Sequence, residues 1–75
     1  MTELPVLNFK DVIKALEKDG FRFISQKGSH IKFKKKINSR ELIVIVPRHN
    51  EIKRGTLKAI LRQAEMTTDY FVSLL

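Results

Sequence analysis

Seventy-five residues make one domain, residues 1–75, that buries only about 60% of its unfolded surface, so its core is a thin layer of helices on a sheet. The absence of cysteine excludes a disulfide framework and a thiolate nucleophile and suits a reducing cytoplasm. Fifteen lysines and arginines outweigh eight acidic residues, and residues 20–64 alone hold twelve basic side chains against Glu41 and Glu51, a field that favours phosphate backbones.

The Met-Thr-Glu-Leu-Pro start lacks the basic-then-apolar pattern of a secretory signal. The longest apolar run, Leu42 to Val46, falls far short of the about 20 residues that a membrane span needs. The expectation is a cytoplasmic protein with no membrane partner. Asn8 is a good N-cap for a first helix, with Asp11 in its first turn to favour the helix dipole and Leu7 able to staple against Val12. Phe9, Val12, Ile13 and Leu16 recur at helical spacing and predict the buried stripe. Lys10, Lys14 and Lys18 line its solvent side. Gly20 suits the left-handed position that stops a helix, after which Phe21 can touch Leu16.

Three strands follow. Phe21–Ser25 is short, with Phe21 and Phe23 inward and Arg22 outward. The turn Gln26-Lys27-Gly28-Ser29, with Gly28 free to take positive φ, delivers His30 onto the first position of an alternating strand, His30–Lys36. There Ile31 and Phe33 point to one face, and His30, Lys32 and Lys34 to the other. Asn38 suits a left-handed turn position before the third strand, Glu41–Val46, which is β-branched on both faces and halted by Pro47. With helices on one side only, either Leu42/Val44/Val46 or Ile43/Ile45 stays exposed, which marks a partner surface or a dimer. A second helix starts between Asn50 and Thr56, with Leu57, Ile60, Leu61 and Ala64 buried and Arg54, Lys58 and Arg62 as a basic stripe. Gly55 near its start leaves room for a close phosphate. Thr67 or Thr68 caps a last short helix whose Tyr70, Phe71, Leu74 and Leu75 close the core. The fold class is α+β, in the order α-β-β-β-α, with helices on one face of a three-stranded antiparallel sheet.

The chemistry narrows by elimination. There is no Gly-rich phosphate loop, and two histidines nineteen apart without cysteine supply neither a zinc site nor the ligands of a zinc deaminase. Ser29 and His30 are adjacent on a strand, point to opposite faces and make no nucleophile–base pair. The carboxylates are too scattered for a paired-acid site. What survives is a basic site with one histidine and no cofactor. His30 is then either an RNA contact or a general base (or acid) acting on a phosphodiester, since the 2′-OH of RNA attacks its own phosphate once a base takes its proton, and flanking lysines stabilise the charge that builds on phosphorus. His49, in a loop without patterned surroundings, reads as an inert surface residue.

The run Gly20-Phe21, Gly28-Ser29-His30-x-Lys32-Phe33, Val46-Pro47-x-His49 and Gly55-Thr56-Leu57-x-x-Ile60-Leu61-x-Gln63-Ala64 resembles the HicA toxins of bacterial and archaeal toxin–antitoxin pairs, over about residues 8 to 72. The resemblance implies a double-stranded-RNA-binding-domain-like fold and a ribosome-independent mRNA interferase whose catalytic residue is His30. It also implies a HicB antitoxin, commonly encoded beside the toxin, that covers the active face, so that the chain joins a toxin–antitoxin hetero-oligomer or a homodimer. On this reading Lys27, Ser29, Lys32 and Lys34 contact the RNA around His30, while Arg54 and Lys58 hold its backbone near the second helix. The alternative is a non-catalytic RNA-binding module of the same fold. One departure stands at Glu65, which follows Ala64 where many relatives carry glycine to end the helix.

Overall fold

Helix α1 (Phe9–Lys18) begins where the sequence marks it: the Asn8 side chain accepts the Lys10 N–H at 2.9 Å, and Asp11 lies in the first turn. In this computed structural model, which describes residues 4–75, the Met1-Thr2-Glu3 part of the start weighed above against a secretory signal lies outside the described residues. The helix stops at Gly20, φ 102°, with the Phe21 N–H donating to the Leu16 carbonyl (3.0 Å) and the Gly20 N–H to that of Glu17 (3.0 Å), the paired bonds of a Schellman stop. Phe9, Val12, Ala15 and Leu16 are buried, while Ile13 is only partly so.

Strands β1 (Arg22–Lys27), β2 (His30–Ile37) and β3 (Arg40–Pro47) form an antiparallel sheet in the order β1-β2-β3. Both connections are two-residue turns with positive φ at their first residue, Gly28 at 60° and Asn38 at 56°. That conformation keeps the twist of a tight hairpin in step with its strands. Ile31 and Phe33 of β2 and Leu42, Val44 and Val46 of β3 turn inward and are buried. Ile43 is 42% exposed on the other face, so the two-sided apolar character of β3 resolves as an outward Ile43/Ile45 stripe.

Strand β1 departs from expectation. Phe23 is the register partner of Phe33 and its ring meets Phe33 edge-on at 6.2 Å, so it faces the core side. It nevertheless stays 58% exposed, because the helices pack over β3 and leave β1 uncovered. The register shifts between Phe23 and Ser25, a bulge at the exposed Ile24.

Helix α2 (Arg54–Ala64) buries Leu57, Ile60, Leu61 and Ala64, the stripe read from the sequence. Helix α3 (Thr68–Ser73) is capped by Thr67, whose Oγ1 accepts the Tyr70 N–H at 3.1 Å. Of the four residues expected to close the core there, Phe71 is fully buried and Leu74 packs partly, whereas Tyr70 and Leu75 are exposed. Tyr70 lies outward, and its hydroxyl donates to Asp19 at 2.5 Å. The molecule is a slab only 18 Å thick in its shortest direction, one sheet with one layer of helices. Its core rests on Phe33, Phe71, Leu16, Ile52, Leu57 and Ile60, each fully buried and each worth about 1.5–3 kcal/mol over an exposed side chain.

Candidate active site and nucleic-acid interface

The Gly28-Ser29 turn is held at three points. The Gln26 side chain donates to the Gly28 carbonyl at 3.0 Å, the Arg48 N–H donates to the Ser29 carbonyl at 2.6 Å, and Lys27 and His30 pair across the turn. His30, first in β2, is thus fixed through its backbone between Lys27 on one side and Pro47 on the other. Its side chain lies on the outer face and is exposed. Arg22, Ser25 and Lys27 of β1, Lys32, Lys34 and Lys36 of β2 and the apolar Ile43 and Ile45 of β3 share that face, so a basic band runs beside an apolar one.

The loop after β3 is strapped to the start of the chain. The Phe9 N–H, one of the donors left open at the beginning of α1, is taken by the His49 carbonyl at 3.1 Å, and the Ile52 N–H donates to the Leu7 carbonyl at 2.6 Å. Arg48 lies over the Phe9 ring at 5.7 Å. From α2, the Gln63 Oε1 accepts the Ile45 N–H at 3.0 Å, which caps the free edge of β3. An open cleft of about 340 Å³ results, where His30, Pro47 and His49 face Thr56, Ala59 and Gln63.

The residues expected to meet RNA are all exposed or half-exposed, in different settings. Lys27 and Lys32 flank His30 and make no ion pair among the described residues. Ser29 sits in the turn with its carbonyl engaged by Arg48. Lys34 is 2.7 Å from Glu41 and, through that hydrogen bond and its charge, holds the Glu41 carboxyl below the usual range. Arg54, at the start of α2, donates its Nε to the Leu4 carbonyl at 2.7 Å. Lys58 is exposed one turn later, and neither it nor Arg54 lines the His30 cleft. Within the Lys34-Lys35-Lys36 run, Lys35 is structural. Its ammonium meets Asp19 at 2.8 Å, with both side chains largely covered, and sits 5.7 Å over the Phe21 ring. Among the described residues no three His, Asp or Glu side chains cluster as a metal-ligand set, and no helix is long and apolar enough to cross a membrane.

From the sequence His49 reads as inert, and Thr56, Ala59 and Gln63 carry no role, although His49, Thr56 and Gln63 stand in the quoted Val46-Pro47-x-His49 and Gly55-to-Ala64 patterns. Periodicity cannot join a loop to the helix that follows it, so nothing else in the sequence pointed to them.

A search of curated proteins gives no match. The family model described as the HicA toxin of bacterial toxin–antitoxin systems matches residues 9–66, from the first turn of α1 past the end of α2, and takes in the whole sheet, the Gly28-Ser29-His30 turn and the cleft. The chain therefore belongs to the HicA toxin family and is a toxin of the toxin–antitoxin type.

Proposed function

We propose that this toxin is an endoribonuclease that cleaves mRNA without a metal or the ribosome, with His30 as its general base. The observation that carries the reading is an exposed histidine held through its backbone at the mouth of a cleft, with Lys27 and Lys32, unpaired among the described residues, beside it, in a chain of the HicA family. His30 takes the proton of a 2′-OH, the 2′-oxygen attacks the adjacent phosphorus, and Lys27 and Lys32 offset the charge on the phosphoryl oxygens. Lys34 and Ser29 extend the contact along the turn and strand, and Arg54 and Lys58 hold the strand farther along α2. The partner is a HicB-type antitoxin with an acidic surface that shields His30, drawn to the same basic band.

Incubating purified protein with RNA in EDTA tests this reading, wild type beside His30→Ala. The variant should cut at least about 10²-fold more slowly, the usual contribution of one general base. It should keep its fold, because the His30 ring is exposed. Products should carry a 2′,3′-cyclic or 3′-phosphate and a 5′-OH, and DNA or 2′-O-methyl RNA should resist. Cutting that survives His30→Ala or stops in EDTA overturns the mechanism. RNA binding without any cutting makes the chain a binding module.

A further inference from the structure

The cleft that His30 lines is also lined by His49, and cleavage with His30 alone leaves one proton transfer without a residue. When the P–O5′ bond breaks, the departing oxygen needs a proton, because an alkoxide leaves poorly. In an in-line displacement the nucleophile and the leaving group stand on opposite sides of phosphorus, so the base that takes the 2′ proton is badly placed to serve the 5′ oxygen. A cleft that receives imidazoles from two separate elements does not have that restriction.

His49 meets the requirement. It comes from the loop after β3, whereas His30 comes from the start of β2, and both line the same cleft. The loop is anchored through its backbone, by the Phe9 N–H on the His49 carbonyl at 3.1 Å and the His49 N–H on the Pro47 carbonyl at 2.8 Å. Pro47 is itself the register partner of His30, so the two histidines are tied to one short stretch of sheet. The His49 ring is exposed and has no hydrogen-bond or ion-pair partner among the described residues. A histidine kept for packing would be buried or bonded.

Building on the endoribonuclease reading, we propose that His49 is a catalytic residue, the general acid that protonates the leaving 5′ oxygen. His30 gains the 2′ proton as the P–O2′ bond forms, and His49 gives up one proton as the P–O5′ bond breaks. The products are a 2′,3′-cyclic phosphate and a 5′-hydroxyl. The net charge of the pair is unchanged by the turnover, and proton exchange with water restores each ring.

The test uses an RNA oligonucleotide with one mapped cleavage site, made with the ordinary oxygen linkage and with sulfur bridging to the 5′ carbon. A thiolate leaves without protonation, so the sulfur linkage dispenses with the acid but not with the base. His49→Ala should lose about 10²-fold or more on the oxygen linkage and stay within about 10-fold of wild type on the sulfur one. His49→Asn, polar but without a proton to transfer, should show the same split. The alkaline descending limb of the wild-type pH–rate profile should flatten in both variants. Melting temperatures should match wild type, since only the backbone of His49 is engaged. Equal losses on both linkages, or no loss on the ordinary one, overturn the assignment. Undiminished cutting by His30→Ala overturns the base assignment with which this acid is paired, whereas RNA binding without any cutting by wild type overturns the endoribonuclease reading itself.

Discussion

Glu65 ends α2 in a conformation that L-residues rarely adopt, φ 55° and ψ 43°, the left-handed region that glycine enters most readily. The stop still closes as it would with glycine, because the Met66 N–H reaches the Leu61 carbonyl at 3.0 Å. Arg40, in the first residue of β3, forks the Glu65 carboxylate with contacts of 2.7 and 3.2 Å. That hydrogen bonding, with the guanidinium charge, keeps the carboxyl below its usual range. The pair is open to solvent, however, and exposed pairs contribute little. The steric cost of a Cβ in the left-handed region is the larger effect. Glu65→Gly should therefore raise the melting temperature by a few degrees, and Arg40→Ala should lower it slightly; a fall on Glu65→Gly would show that the ion pair wins.

Between elements, the polar ties respond to pH in opposite senses. Glu41, bonded to Lys34, and Glu65, bonded to Arg40, have lowered values. Their stabilisation is complete above the ordinary carboxylate range and is lost as pH falls through the lowered folded values. Tyr70, which donates to Asp19 and ties α3 to the end of α1, is raised above the ordinary 10.0. Its contribution is complete below that value and is lost as pH rises through the raised one. Melting temperature against pH should thus be a plateau with an acid and an alkaline fall. Glu65→Gln should soften only the acid side and Tyr70→Phe only the alkaline side, and a variant that alters the opposite limb would break the assignment. The elements themselves were legible from the sequence. The α1 and α2 stripes, the Asn8 and Thr67 caps and the Gly28 and Asn38 turns follow from local period and backbone preference. What eluded it depends on coverage across the chain: Phe23 faces the core side yet lies beyond the reach of the helices, Lys35 finds Asp19, and His49 finds the cleft.

Over the whole molecule, the positive field is broad while its members differ in duty. RNA affinity should fall steeply with salt, because each phosphate contact releases counterions. Lys58→Ala should weaken binding alike for all sequences, reduce the log–log salt slope by about 1 and leave the melting temperature unchanged. Arg54→Ala should also lower stability by about 1 kcal/mol, since its Nε holds the carbonyl of the buried Leu4. A double variant with an unaltered slope would remove this side of α2 from the RNA surface. The sheet itself has unequal margins. At β3 the Gln63 side chain occupies a backbone donor and α2 lies alongside, whereas β1 is open along all six residues. Strand addition is therefore easiest along β1, where two copies would meet edge to edge, and Arg22 and Lys27 on that open margin oppose such pairing by charge repulsion.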